Sequence, residues 1–274
     1  MSSESTDSTY SAERAVSELF DLREKVALIS GAGGWLGSAM SRALAEAGAN
    51  VVATSRDSAR AEECAAALPA VGGQGHHGVA LDHLDETSIE SGFAEALDLA
   101  GRIDILVNNG HAANASDLTS VNGEEFNRSL ANATGYFLLA RKLRDHAVAR
   151  GGGASVVMIG SMYGVVGSYP EAYEGLAPAS PVAYHALKGG IVHMCRHLAV
   201  YWAKDGVRVN CLSPGPFPGP AANTGMVERL VGKSPMGRMG RPEELKGALV
   251  FLASEASSYV TGQNLLVDGG WTAW

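Results

Sequence analysis

The sequence predicts a doubly wound α/β fold, a seven-stranded parallel sheet with helices on both faces. Three observations carry that reading. From Lys25 onward, short β-rich apolar runs alternate with helix-period segments, the pattern of strands joined by crossover helices. The helical segments show one apolar face each, Leu36, Met40, Ala43, Leu44 and Ala47 in one and Ile89, Phe93, Leu97 and Ala100 in another. A glycine cluster joins the first strand to the first of these helices, and a second strand follows about twenty residues on.

The strands are expected at 26–30, 51–54, 78–81, 103–108, 155–159, 208–212 and 264–267, with Gly48 and Gly101 ending two of the helices. With 274 residues, of which 46% are hydrophobic, the chain can bury one large core. No repeat or low-complexity linker suggests a boundary, so residues 22–274 read as one domain and 1–21 as a separate start. Within that start, Met1 to Ser11 read as a polar tail without the cationic and apolar regions of a signal peptide. Ala12 to Leu22 read as a short amphipathic helix with Val16, Leu19 and Phe20 on one side. A net charge of −8 argues against nucleic acid or an anionic membrane as main partner. Cys64, Cys195 and Cys211 form no paired spacing, which suits a reducing compartment, and no apolar run is long enough to span a bilayer, so a cytoplasmic location is expected.

The stretch Ser30-Gly31-Ala32-Gly33-Gly34-Trp35-Leu36-Gly37 is the first candidate site. Glycines let the backbone turn sharply and approach a pyrophosphate, and the free N–H groups and dipole of the helix start hold its charge. At the end of the second strand, Ser55 and Arg56 stand where an acidic residue would accept hydrogen bonds from an adenosine ribose. A guanidinium beside a hydroxyl suits a 2′-phosphate, so NADP(H) is favoured over NAD(H), although Asp57 leaves open that Arg56 is a solvated surface charge. Asp82 and His83 after the third strand, and Asn108 and Asn109 at the end of the fourth, lie where an open sheet binds ligands. Asp82 can accept from an adenine amino group, helix capping being a role that suits Asp85 as well. The two asparagines can bridge neighbouring strands.

Tyr184 and Lys188 stand four apart in a helical run, on one face and about one turn from each other. An ammonium beside a phenol lowers the phenol's pKa and fits it for acid/base work near neutral pH. Taken together with the glycine turn, the pair makes the chain resemble the short-chain dehydrogenase/reductase family, in its single-domain, Rossmann-like branch. The resemblance runs from about Leu22 to the C-terminus and rests also on Ile103-Asp104-Ile105-Leu106-Val107-Asn108-Asn109, Asn132, Ser161, Asn210 through Pro214-Gly215, and Val267-Asp268-Gly269-Gly270. It implies that Tyr184 exchanges a proton with the substrate oxygen and that Lys188 lowers its pKa and holds the nicotinamide ribose. Ser161 would hydrogen-bond the reacting oxygen, and Asn132 would hold a water linking Lys188 to solvent. Pro214, Gly215 and Phe217 begin a proline-broken loop that would close over nicotinamide and substrate.

Three departures from the family pattern stand out. Trp35 replaces the second glycine usual in this branch, so the indole is expected outward or over the pocket. Gly110-His111 ends the fourth-strand motif, and His111 can touch substrate or be an ordinary loop residue. The 22 residues between Ser161 and Tyr184 exceed the family's usual spacing, with the excess near 168–180. Tyr169, Glu171, Tyr173 and Glu174 are therefore candidates for contact with substrate or with another subunit.

His193 and His197, four apart, lack a third ligand at a useful spacing, and no metal is expected. The face carrying Ile191, Met194 and Leu198, together with the family's habit of pairing these helices, points to a homodimer or homotetramer. The aromatic end, Trp271 to Trp274, is expected at an interface or at a neighbour's active site. The activity implied is hydride transfer between a nicotinamide and a secondary alcohol or ketone, with sugars, polyols or small hydroxy-carbonyl compounds as substrates. The alternatives are a 3-oxoacyl-[acyl-carrier-protein] reductase and a non-catalytic NADP-binding sensor.

Overall fold

The computed structural model describes residues 13–113 and 118–274. Seven parallel strands form one sheet in the order β3-β2-β1-β4-β5-β6-β7: β1 Val26–Ser30, β2 Asn50–Ser55, β3 His77–Ala80, β4 Ile105–Asn108, β5 Ala154–Ile159, β6 Val207–Pro214 and β7 Asn264–Val267. In register, Ala27 of β1 faces Val51 on one side and Ile105 on the other. The chain leaves β1 toward β2 and returns to the opposite side through β4. That reversal opens a crevice at the carboxyl ends of the two strands.

Successive side chains of a strand point to opposite faces, and here each face has its own core. Leu28, Val52, Leu106, Val156 and Val209 pack beneath α4 (Glu86–Ala100), α5 (Gly123–Ala149) and α7 (Val182–Trp202). Ala27, Ile29, Val51, Val107 and Leu212 pack beneath α2 (Trp35–Glu46), α3 (Ser58–Ala66) and α9 (Lys246–Ala253). Asp57, Asp85 and Asn122 cap α3, α4 and α5 with side-chain oxygens on first-turn N–H groups, which fixes where each helix leaves the sheet.

Three expectations change. The N-terminal helix is only α1, Val16–Leu19, with Val16 exposed and Phe20 meeting Phe251; the tail at Met1 to Ser11 lies outside the described residues. Ile191 and Leu198 are buried in the chain's own core, with Met194 packed against it, so that face of α7 is spent internally and does not argue for a subunit contact. Trp271 is 2% exposed and packs on its own chain, edge to face with Tyr169, because the inserted segment after Ser161 supplies the aromatic partner. Trp274 alone of the terminal aromatics is exposed.

Candidate active site

The glycine turn lines a crevice of about 650 Å³ together with the ends of β2, β3 and β4. Gly31 adopts a φ of +66°, and a Cβ on Gly37 would stand 2.1 Å from the Gly31 carbonyl oxygen, so the turn closes only without side chains there. The turn ends at the start of α2, where unpaired N–H groups and the helix dipole favour a phosphate. Asn109 braces it, donating from Nδ2 to the carbonyls of Ser30 and Gly31 at 3.1 and 3.0 Å. This cradle fits the pyrophosphate of a dinucleotide.

Gly31, Gly33, Gly34, Trp35, Leu36, Gly37, Ser55, Arg56, Asp82, His83 and Asn109 all line the crevice. Arg56 is exposed at its edge, and Arg60, in the first turn of α3, donates from Nη2 to the Gly33 carbonyl at 3.0 Å. Asp57 is engaged as the α3 cap, accepting from the Arg60 N–H at 2.8 Å. Two guanidiniums and one carboxylate therefore stand together at this edge of the crevice. Asp82 accepts from the Leu84 N–H through Oδ1 and faces the crevice. Trp35 is 46% exposed and stands over the crevice mouth, in contact range of Gly219 in the proline-broken loop.

Four of the expected contacts make bonds or packing within the chain. Asn108 is fully buried and donates to the Tyr136 carbonyl at 2.9 Å, a strut between β4 and α5. Pro214 ends β6, the Gly215 N–H donates to the Val267 carbonyl, and Phe217 packs on Gly240; none of the three lines the crevice.

The catalytic candidates converge at the carboxyl ends of β4 and β5. Ser161 follows β5 and caps the short turn Met162–Gly164, its Oγ accepting from the Tyr163 N–H at 3.1 Å. A Cβ on Gly164 would meet the Lys188 carbonyl at 2.8 Å, so this glycine lets the turn lie directly on α7. The contact brings Ser161 to the Tyr184 hydroxyl, whose phenolate form it stabilises. Lys188 is 4% exposed, donates from Nζ to the Ile159 carbonyl at 2.7 Å, and lies 5.6 Å from the centre of the Tyr184 ring.

The electrostatics differ from the sequence expectation. Burial raises the Tyr184 pKa, and the opposing influence is the Ser161 hydroxyl rather than Lys188. Burial also pushes the Lys188 ammonium down to about 8. Desolvation acts on both groups at once, so proximity in sequence did not translate into a depressed phenol.

Asn132 has no hydrogen-bonding capacity left for a water on its side chain. Its Oδ1 accepts from His83 Nε2 and the Ala112 N–H, each at 2.8 Å, while Nδ2 donates to the carbonyls of Ala112 and Ser129. Because Oδ1 can only accept, His83 carries its proton on Nε2. The asparagine thus ties α5 to the ends of β3 and β4. His111 lies at the mouth, its ring edge to face with Tyr184 at 5.4 Å. Desolvation of its inner edge, then the Lys188 charge, pushes its pKa down, so a neutral imidazole faces the site at pH 7. His111 also joins the crevice to a smaller cavity of about 260 Å³ lined by Tyr184, Ser129, Ser180, Pro181 and Ala113.

The family model described as enoyl-(acyl carrier protein) reductase matches residues 31–272. A short-chain type dehydrogenase/reductase from Mycobacterium marinum superposes with a TM-score of 0.85 at 33% identity, over 95% of this chain and 100% of that one. The chain is a short-chain dehydrogenase/reductase. Its relatives include the ribulose-forming D-arabinitol 2-dehydrogenase of Scheffersomyces stipitis, 33% identical over 93% of this chain and 96% of the other. A gluconate 5-dehydrogenase from Burkholderia cenocepacia, solved with NADP and tartrate, is 30% identical with a TM-score of 0.83, over 95% of this chain and 100% of that chain.

Within this dehydrogenase/reductase framework the inserted segment, which carries α6 (Pro170–Tyr173), is tied to the loop that follows β6. Arg229 of α8 (Thr224–Val231) donates to the carbonyls of Glu171 and Glu174, and Lys233 pairs with Glu171 at 2.6 Å. Tyr173 shares a hydrogen bond of 2.8 Å with Tyr163, and Tyr169 packs on Trp271. Of the four residues expected at substrate or another subunit, Glu171 and Glu174 hold Arg229 and Lys233, while Tyr169 meets Trp271 and Tyr173 meets Tyr163 within the same chain. Arg60 and Ser129 escaped the sequence reading. A place in the first helical turn after the Asp57 cap could have found the first, whereas nothing local marks the second.

Proposed function

We propose that the protein is an NADP-preferring oxidoreductase acting on the secondary alcohol or ketone of a sugar or polyol. The observation that carries this is the cluster of Ser161 and Lys188 about Tyr184, whose ring meets His111, the residue that lines both the nucleotide crevice and the small cavity. A nicotinamide bound there supplies the hydride acceptor or donor. Tyr184 gives its proton to the substrate oxygen in reduction and takes it back in oxidation, and Ser161 donates a hydrogen bond to that oxygen as charge develops. Lys188, held by the Ile159 carbonyl, keeps a positive charge beside the phenol. Arg56 and Arg60 support the preference for a 2′-phosphate, with Asp57 engaged in capping.

The cavity beside Tyr184 is smaller than the ~300–1,000 Å³ usual for small-molecule sites, which favours a compact substrate over an acyl chain on a carrier protein. An acidic carrier would need an unpaired basic surface, but Lys233, Arg238 and Arg241 near the lid are paired with Glu171, Glu244 and Glu243. A cytoplasmic location is supported by three free thiols. A homodimer or homotetramer would use surfaces such as that around Val200 and Tyr201, both exposed at the end of α7, and size-exclusion with light scattering tests it. The decisive experiment is a polyol and ketose panel read with NADP(H) and NAD(H) in parallel. Equal rates with both cofactors would defeat the preference. Binding without turnover, with Tyr184→Phe making no difference, would favour a nucleotide sensor.

A further inference from the structure

His111 lies just past β4, in a turn that is fastened on both sides of it. Before it, the Gly110 N–H donates to Ser30 Oγ at 2.9 Å, and a Cβ on Gly110 would stand 2.8 Å from His83 Nδ1. After it, Asn132 grips Ala112 twice, accepting from its N–H at 2.8 Å and donating to its carbonyl at 3.2 Å. With both neighbours anchored, the backbone presents the His111 side chain to Tyr184. The two rings meet edge to face at 5.4 Å.

The histidines around the site differ in what their nitrogens do. His83 Nε2 is spent on Asn132 Oδ1 at 2.8 Å, and His185 Nε2 lies 3.0 Å from Ser180 Oγ. His111 is exposed, and among the described residues neither of its ring nitrogens makes a hydrogen bond. It also lines both the nucleotide crevice and the small cavity, and no other described residue does. Desolvation of its inner edge, then the Lys188 charge, moves its pKa down to about 4. The ring is therefore neutral at pH 7, with one nitrogen to donate and one to accept. A hydroxyl answers either nitrogen, since it both donates and accepts; a hydrocarbon substituent answers neither. In the oxidoreductase reading the reacting oxygen belongs to Tyr184 and Ser161. A ring packed against Tyr184 stands beside that oxygen, on the side where a substituent of the neighbouring carbon would lie.

We propose that His111 is a specificity-determining residue whose imidazole hydrogen-bonds the substrate hydroxyl on the carbon next to the reacting one, so that vicinal diols and α-hydroxy ketones are preferred to simple alcohols and ketones. The inference deepens the oxidoreductase reading and rests on it. It also makes Asn132 a positioning residue, because its double grip on Ala112 sets where the imidazole stands.

Initial-rate kinetics on the full chain test it with two matched pairs, 2,3-butanediol against 2-butanol in oxidation and acetoin against 2-butanone in reduction. The wild type should favour the hydroxylated member of each pair about tenfold in kcat/KM, the scale of one neutral hydrogen bond. His111→Phe keeps a ring against Tyr184 without polar atoms, and its ratio should fall to about one. His111→Gln keeps a donor and an acceptor and should retain more of the preference. Thermal midpoints of both variants should match that of the wild type, because the side chain is exposed. A wild-type ratio retained in His111→Phe, equal ratios in the two variants, or a wild type that favours neither hydroxylated compound overturns this role and leaves the oxidoreductase reading standing. No turnover of any alcohol or ketone by the wild type overturns both.

Discussion

Replacing Lys188 by methionine should make the folded protein more stable at neutral pH while abolishing turnover. The ammonium is almost wholly buried, and among the described residues no carboxylate pairs with it; its contacts are the Ile159 carbonyl and the faces of Tyr184 and Tyr136. Burial moves its pKa from 10.5 to about 8, and at ~1.4 kcal/mol per unit the charged form costs the fold about 3 kcal/mol. Methionine fills a similar volume without charge, and loss of the hydrogen bond to Ile159 offsets about 1 kcal/mol, leaving a gain of about 2 kcal/mol. The pH signature is specific. Because the folded pKa lies below the unfolded one, the cost is fully present below about pH 8 and is relieved as pH rises toward 10.5. The advantage of the variant should therefore be greatest at neutral pH and fade in that alkaline window. Urea midpoints at several pH values, with unchanged slopes, measure it. A Lys188→Met protein less stable than wild type at neutral pH, or one whose advantage ignores pH, would refute the idea that the fold bears a desolvated charge for its chemistry.

Other consequences follow from the same geometry. The double change Arg56→Ala and Arg60→Ala should lower kcat/KM with NADPH by about tenfold or more and change NADH little, since two charge-assisted contacts to a 2′-phosphate are lost; parallel initial rates check it. Gly37→Val places a Cβ 2.1 Å from the Gly31 carbonyl and should cost about 2 kcal/mol or more while abolishing nucleotide affinity in calorimetric titration. Asn132→Ala strands the His83 and Ala112 N–H groups and should destabilise by about 3 kcal/mol in chemical denaturation. Because burial holds the Tyr184 phenol above its ordinary value, kcat/KM for alcohol oxidation should climb from neutral pH upward; a profile flat through the alkaline range would contradict the assignment of Tyr184 as base.

The order of strands and helices could be read from the chain because each depends on neighbours in sequence. Both-sided burial makes a strand apolar along its length, as in β1, and the helix faces at Met40 and Phe93 repeat with the turn. The glycine turn and the Tyr184/Lys188 spacing are equally local, which is why the crevice and the Tyr184/Lys188 pair were both legible. Boundaries shifted by a residue or two, as at β6, where pairing with β7 carries the strand on to Pro214.

Quantities summed over distant segments were not legible. The sign of the Tyr184 shift depends on how many atoms crowd it from α7, the Ser161 turn and the inserted segment, and that total appears in no spacing rule. The apolar face at Ile191 looked like a docking surface because periodicity says only that a face is buried, not what buries it. The tie between Arg229 and the carbonyls of Glu171 and Glu174 spans more than fifty residues of chain, and Ser129 reads in sequence like any helical serine. Sequence alone determined the sheet, the glycine turn and the placing of Tyr184 and Lys188 on one helical face, since these rest on local periodicity and turn chemistry. Only tertiary packing decided which polar groups are satisfied, which are stranded and which charges are desolvated, since each of those is settled by atoms that arrive from elsewhere in the chain.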